Sequence, residues 1–142
     1  MSSPETSQLS KSGSSDRGGS LVPVAAVLGA IAVALGAFGA HALKARLIES
    51  GTLSTWETAT DYLLAHAIAA LAIGLARRGG VTWRGSVLSG RLIVVGSIIF
   101  SASLFGLALD GPRWLGPITP LGGLLMILGW LALLLPAKKS ES

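Results

Sequence analysis

A histidine and three hydroxyl side chains are the residues whose chemistry could serve a function in this strongly apolar chain. His66 lies inside the apolar stretch DYLLAHAIAALAIGL, and Tyr62 precedes it by four residues. A spacing of four places both side chains on one face of a helix. Ser97 and Ser101 share a face of a second apolar stretch. We treat His66, Tyr62, Ser97 and Ser101 as a candidate polar cluster inside a membrane.

His66 could relay protons, bind a metal, or form a hydrogen bond between helices. A full charge at the centre of a bilayer costs about 2.5 kcal/mol or more, but a neutral imidazole costs much less. Interhelical hydrogen bonds in membranes contribute roughly 0.6 kcal/mol on average, which helps two helices pack without any chemistry. The sequence therefore favours a structural role for His66, bonded to the helix of Ser97 and Ser101. Handling of protons or a solute is the alternative.

Other residues give little support for catalysis or cofactor binding. The chain has no cysteine and only two histidines, which are too few ligands for zinc. The carboxylates Glu49, Glu57 and Asp61 fit no recognised metal-ligand spacing. The chain also has no glycine-rich phosphate loop and no Ser/His/Asp arrangement. We predict no catalytic residue, no cofactor, no metal and no enzymatic activity, and we interpret His41 as a solvated side chain at the membrane edge.

Membrane-spanning helices are the elements that must position these side chains. Hydrophobic residues make up 51% of the chain and charged residues only 13%, against about 25% charged in soluble domains. A span needs about 20 mostly apolar residues, and four windows meet that length. The sequence predicts an all-α, integral membrane four-helix bundle that runs up-down-up-down. Its spans are expected at about residues 21–42, 56–76, 91–109 and 119–135.

The parts of the chain outside the spans are short. Residues 1–20 are rich in Ser and Gly, which predicts a disordered cytoplasmic tail. Residues 21–136 form the membrane domain, and residues 137–142 a short basic-then-polar cytoplasmic tail. A signal peptide cleaved after Ala42 is the alternative for the first span. Its 20 apolar residues exceed the usual signal-peptide core of about 7 to 15, so we expect the span to be retained.

The distribution of basic residues predicts the orientation. The two tails and the second connector hold eight Lys and Arg residues, and the other two connectors hold three. Basic connectors stay on the cytoplasmic side, so both termini should be cytoplasmic. Because the net charge of +4 is confined to tails and connectors, we predict no binding of nucleic acid.

Local patterns predict the helix ends and the contacts between helices. The first helix should continue to Gly51, the second should follow a capping box of Ser54 and Glu57, and Thr119 and Pro120 should begin the last. Small residues should allow close helix contacts; they are Ala25, Gly29, Ala32, Gly36, Ala40, Ala102 and Gly106. Three tryptophans should lie in the headgroup layer; they are Trp56, Trp83 and Trp114.

Several motifs taken together resemble a known family. They are ALGAFGAHALK, FSASLFGLAL, ITPLGG followed by GW, and the spacing of Trp56, Thr58, Ala59, Tyr62 and His66. The chain is similar to the YgdD-like family of small membrane proteins, the bacterial relatives of transmembrane protein 256, over about residues 22–135. The resemblance implies a four-helix protein of the bacterial inner membrane with no described function and no catalytic residues. The family often has glutamine, glycine and tyrosine where this chain has Leu63, Ala102 and Phe105, which favours packing over a polar pocket.

The expected function is that of a small, multi-pass inner-membrane protein with a structural or partner-association role. Its expected partners are the lipid bilayer and a second copy or another membrane protein. The alternative is a small transporter or proton-linked permeation protein, in which His66 near the bilayer midplane, Tyr62 and Ser101 line the path.

Overall fold

The computed structural model describes residues 20–81 and 83–135, which form five helices joined by short connectors. Four of the helices are long and apolar enough to cross a membrane, which confirms the prediction of an all-α bundle with four candidate spans. Apart from Ser20, the two predicted tails lie outside the described residues. The helices are α1 (Leu21–Ala40), α2 (Lys44–Glu49), α3 (Leu53–Arg78), α4 (Ser86–Ala108) and α5 (Leu115–Ala132).

The bundle buries mainly small and hydroxyl side chains, together with a few large apolar ones such as Leu47 and Ile93, and it exposes many other large apolar side chains. Among its fully buried residues are Ala32, Ala59 and Ala70, whereas Val33 and Ile68 are about three-fifths exposed. In a water-soluble protein the large apolar side chains would occupy the core. The inverted pattern fits a lipid solvent, in which close approach of helices matters more than burial of apolar surface.

Each span packs mainly against its neighbours in the chain: α3 lies between α1 and α4, and α4 lies between α3 and α5. Neighbouring spans are antiparallel. The start of α1 contacts the end of α3 through Val22 and Gly74, and the end of α1 contacts the start of α3 through Gly39 and Trp56. The apolar contacts form three layers along the bundle; they centre on Ile73 and Ile93, on Leu28 and Leu63, and on Leu47 and Trp56.

The backbones of α4 and α5 come into direct contact, and glycines make this contact possible. A Cβ atom on Gly122 would lie 2.5 Å from the backbone nitrogen of Phe100 and 2.8 Å from the carbonyl oxygen of Gly96. A Cβ atom on Gly96 would in turn lie 2.8 Å from the carbonyl oxygen of Gly122. Neither glycine was among the predicted contact residues. The two backbones touch here because neither residue has a side chain to separate them.

The first helix ends at Ala40, so the prediction that it continues to Gly51 is wrong. A short turn follows, and α2 is a separate helix whose Leu47 is fully buried against Trp56 and Ala108. Burial of Leu47 requires the chain to change direction, which a continuous helix would not allow. Gly51 does adopt the left-handed backbone that favours glycine, with a φ of 69°. Its amide donates to the Ile48 carbonyl, completing a common C-terminal motif of helices.

Two predicted helix starts are also wrong. The third helix begins at Leu53 after Thr52, without the side-chain cap expected from Ser54 and Glu57. The Thr52 hydroxyl instead donates to the carbonyl oxygen of Ala108 at 2.9 Å, which ties the start of α3 to the end of α4. The last helix begins at Leu115, so Thr119 and Pro120 lie inside it. The Thr119 hydroxyl lies 2.8 Å from the Ser103 hydroxyl, so it joins two helices rather than capping one.

The glycine contact predicts unequal effects of alanine at two adjacent positions. We expect Gly122→Ala to lower the free energy of unfolding by about 1 to 3 kcal/mol, because its Cβ would meet backbone atoms of α4 that cannot move independently. Gly123→Ala is the matched control, since its Cβ would make only an ordinary contact 3.8 Å from the Phe100 ring. Unfolding of the purified protein in mixed detergent micelles measures both. Equal effects would contradict the backbone contact.

A candidate intramembrane polar site

His66 occupies the middle of α3 and is only 9% exposed. The site forms where α3, α4 and α5 meet. It consists of His66 and Tyr62 from α3, Phe100 from α4 and Trp130 from α5. The depth of His66 follows from its position 13 residues after the start of a 26-residue helix. Such a depth makes the protonation state of its ring the main chemical question.

Both ring nitrogens of His66 have hydrogen-bond partners. Nδ1 lies 2.8 Å from the backbone carbonyl oxygen of Tyr62, one turn earlier in the same helix. Nε2 lies 3.2 Å from the indole Nε1 of Trp130 on α5. A carbonyl oxygen can only accept and an indole N–H can only donate, so these partners assign the proton to Nδ1 and the lone pair to Nε2. The imidazole is therefore neutral, and both of its polar atoms are bonded.

The partner of His66 differs from the prediction, which placed it on the helix of Ser97 and Ser101. Both serines are buried in α4, but neither bonds the histidine. The Ser97 hydroxyl donates to the Val94 carbonyl at 3.0 Å, a local bond that serines commonly form inside helices. The Ser101 hydroxyl has no hydrogen-bond partner among the described residues. The observed partner of His66 is Trp130, the tryptophan of the GW motif. The two residues are 64 positions apart in the chain, so no local sequence pattern could predict their bond.

Aromatic rings surround the imidazole. The Tyr62 ring stacks on it with centroids 5.8 Å apart and planes inclined by 16°. Phe100 lies 4.7 Å from the Tyr62 ring, and Trp130 meets the imidazole edge-on at 6.2 Å. Tyr62 and Trp130 are about half exposed, so they form the lipid-facing edge of the site. Tyr62 thus contributes its carbonyl and its ring to the site.

The geometry suits helix joining better than proton transfer. His66 can accept a proton only at Nε2, whose lone pair is held by the Trp130 indole. Protonation would therefore break the side-chain bond that joins His66 on α3 to Trp130 on α5. Ser101 lines an apolar groove between α1, α3 and α4, and His66 is not among the residues that line this groove. Among the described residues, His, Cys, Asp and Glu form no group of three that could hold a metal.

The three predicted interfacial tryptophans have different environments. Trp56 is only 3% exposed, and its indole donates to the Leu35 carbonyl at 3.0 Å. Its ring occupies the space next to Gly39, so Trp56 is a core residue rather than an exposed anchor, and its position at headgroup depth stays a prediction. Trp114 is 63% exposed just before α5, and Trp83 is partly buried in the connector before α4. His41 is exposed at the end of α1, as a solvated residue would be.

Most of the predicted packing residues of α1 face α3. Ala25 and Ala32 are buried, Gly29 would place a Cβ 4.0 Å from Ala67, and Gly36 would place one 3.1 Å from Thr60. Ala40 differs: it is exposed, and Gly39 takes the contact instead. The helical repeat explains this difference. Positions 25, 32 and 39 are seven residues apart, which is close to two turns of 3.6 residues, so they share one face of α1. On α4, Gly106 packs against Leu115 of α5, whereas Ala102 is exposed.

Comparisons with known proteins identify the family. Residues 35–123 match the family described as "Protein of unknown function (DUF423)". A UPF0382 membrane protein of Staphylococcus epidermidis is 44% identical over 117 residues, covering 80% of this chain and 93% of the relative. The chain belongs to the DUF423/UPF0382 family. This confirms the predicted resemblance to a family of small membrane proteins without a described function.

The DUF423/UPF0382 relatives come from bacteria and from a fungus. The UPF0382 membrane protein of Haemophilus influenzae is 38% identical over 117 residues, covering 82% of this chain and 92% of the relative. The one from the fission yeast Schizosaccharomyces pombe is 39% identical over 116 residues, covering 78% and 95%. No solved structure matches the chain. The DUF423 match includes His66 but ends before Trp130, so the bond between them joins residues inside and outside the matched region.

A double-mutant cycle between His66 and Trp130 tests the assigned bond. We expect His66→Leu to change the free energy of unfolding by no more than about 1 to 2 kcal/mol. Trp130→Phe keeps an aromatic ring but removes the donor, so the two substitutions should show a coupling of about 0.6 kcal/mol and at most about 1.7 kcal/mol.

The matched cycle pairs His66→Leu with Ser101→Ala. Ser101 forms no hydrogen bond with any described residue, so its coupling to His66 should be zero within error. Unfolding in mixed detergent micelles measures both cycles. A larger coupling with Ser101 than with Trp130 would contradict the bond to α5.

Proposed function

We propose that this DUF423/UPF0382 protein has a structural or partner-association role within the membrane and no enzymatic activity. The bonding of His66 carries the proposal. A neutral ring whose donor and acceptor are both occupied inside the protein is suited to fixing the position of helices. A second copy or another membrane protein is the expected partner, in addition to the lipid bilayer.

The packing of the spans supports the same role. Backbone contact at Gly96 and Gly122 leaves no space for a solute between α4 and α5. Between α1 and α3, the Trp56 ring fills the space beside Gly39, next to a cavity of about 310 Å³ at this end of the two helices. A permeation path needs groups that exchange their partners, whereas these contacts are close and made by backbone atoms or large rings.

We also propose that the protein is a multi-pass protein of the bacterial inner membrane with both termini in the cytoplasm. The end of the bundle at which the connector joins α3 to α4 carries four arginines and no carboxylate among the described residues. The opposite end carries three basic and four acidic residues. With four spans, the arginine-rich end and both termini lie on the same side, which the positive-inside rule assigns to the cytoplasm. The relative from a fungus shows that the family is not confined to bacteria.

Reconstitution into liposomes separates the structural role from permeation. We expect vesicles with the parent protein, vesicles with His66→Leu and protein-free vesicles to show the same proton leak and the same release of a trapped small solute. The reason is that His66 has no free lone pair to pass a proton on. A leak that the parent protein causes and His66→Leu abolishes, in a folded variant, would replace the structural role with transport.

Reporter tags test the orientation. We expect a tag at either terminus to report the cytoplasm, and a tag inserted in the connector after α2 to report the opposite side. A phosphatase reporter that is active only outside the cytoplasm, paired with a fluorescent reporter active inside, measures all three positions. Termini on opposite faces would contradict the four-span arrangement, and both termini outside would contradict the assigned direction.

A further inference from the structure

A cavity between α1 and α3 is not explained by the helix-joining role. It has a volume of about 310 Å³ and lies at the end of the bundle opposite the four arginines, beside the end of α1 and the start of α3. The α1 side of its wall consists of the small residues Gly36, Gly39 and Ala40. Small-molecule sites in proteins have volumes of about 300 to 1,000 Å³, so this cavity has the size of a ligand site.

Two carboxylates line the cavity and determine its chemical preference. Glu57 and Asp61 are one turn apart on α3, so their side chains share a face of the helix. Neither side chain forms an ion pair or a hydrogen bond with another described residue. By contrast, Asp110 at the same end pairs with Arg46 at 3.5 Å. Because the described wall of the cavity contains no Lys, Arg or His, its two negative charges suit a cation from outside the protein.

The depth of Asp61 makes an unbalanced charge costly. Asp61 follows Leu53, the first residue of α3, by eight residues, which is a rise of about 12 Å. His66, in the middle of the helix, lies only about 8 Å farther along the axis. An ionisable residue inside a membrane span usually faces a cavity or the bundle interior and marks the site or path of a ligand. Packing alone would be served as well by an uncharged side chain at this position.

The rest of the wall favours an organic cation over a metal ion. Calcium takes about six to eight oxygen ligands, whereas the side chains of this cavity offer two carboxylates and the Thr60 hydroxyl. The remaining wall is mainly apolar and includes Leu53 and Trp56, so a metal ion would leave most of the volume without a suitable occupant. An ammonium group on an apolar body matches both parts, because its charge pairs with the carboxylates and its body covers the apolar wall.

We propose that this cavity binds an organic cation, with a primary ammonium group at Glu57 and Asp61 and a small apolar body against Leu53 and Trp56. A free amine and the amine of a phosphatidylethanolamine headgroup share this chemistry. The charged and apolar groups line one cavity, so a single ligand can contact both. His66 and Trp130 do not line it, and the site therefore stands whether or not the structural role of the protein is confirmed.

Binding of benzylammonium to the purified protein in detergent micelles tests the site, with benzyl alcohol as an uncharged probe of similar shape. The nuclear magnetic resonance signal of the Trp56 indole N–H, which bonds the Leu35 carbonyl beside the cavity, reports both the affinity and the location. We expect benzylammonium to bind at least about tenfold more tightly than benzyl alcohol, because each ion pair adds to its affinity. The pair of substitutions Glu57→Gln and Asp61→Asn should remove this difference, and each alone should remove part of it.

Ala40→Leu and Glu49→Gln separate the cavity from general charge attraction. Ala40 is an exposed residue of the wall, so the added side chain should weaken both probes without changing charge. Glu49 is an exposed carboxylate at the same end that does not line the cavity, and Glu49→Gln should leave benzylammonium binding unchanged. The spread of amide signals shows whether each variant is folded.

Three results would overturn the proposal. Equal binding of the two probes would show that the charge is not recognised. Equal weakening by Glu49→Gln and by the double substitution would assign the effect to surface charge. Displacement of benzylammonium by calcium at a lower concentration than by a second amine, such as butylammonium, would assign the carboxylates to a metal ion.

Addition of lipids to the micelles identifies the source of the ammonium group. Displacement of benzylammonium by phosphatidylethanolamine but not by phosphatidylcholine would support a lipid headgroup, since only the former carries a primary ammonium. Displacement by neither lipid would support a free amine. Equal displacement by both would contradict recognition of a primary ammonium group. None of these results depends on the leak measured for His66→Leu.

Discussion

Helices in lipid gain little from burying apolar side chains, because the solvent around them is itself apolar. The bundle must therefore be held by close packing and by hydrogen bonds inside the membrane. Three contacts show how this chain meets that requirement. Backbone meets backbone at Gly96 and Gly122, the Trp56 indole bonds the Leu35 carbonyl next to Gly39, and the Trp130 indole bonds His66. The first contact brings two backbones together because neither glycine has a side chain. In the other two, the indole N–H of a tryptophan donates a hydrogen bond to an acceptor on a different helix.

The architecture could be predicted from the sequence because it depends on composition over long windows. Four apolar stretches of the required length define four spans, and the depth of His66 follows from its place in one of them. Packing residues on α1 could also be predicted, since a helix repeats every 3.6 residues and Ala25 and Ala32 share a face. Ala40 is the exception, because it and Gly39 are adjacent small residues that the sequence pattern cannot distinguish. The Trp56 ring packs against Gly39, and this contact decides which of the two faces α3.

Helix ends and long-range partners could not be predicted from local patterns. Ser54 and Glu57 have the spacing of a cap, but the chain enters α3 earlier because Thr52 bonds the end of α4. Thr119 and Pro120 resemble a helix start, yet α5 begins five residues before Pro120. His66 was assigned to the serines of α4 because they lie at a similar depth. The Ser97 hydroxyl bonds within its own helix, and the Ser101 hydroxyl has no partner among the described residues, whereas the Trp130 indole lies 3.2 Å from Nε2 of His66.

The order of contacts between the spans has a consequence for biogenesis. Because α1 packs on α3, α3 on α4, and α4 on α5, each span meets its main partner as soon as the ribosome has delivered the next one. Assembly can thus proceed pair by pair during insertion, without an early span waiting for a distant one. The bond from Trp130 to His66 is an exception, since it reaches past the neighbouring span. It can form only after the final span has entered the bilayer, so it closes the bundle last.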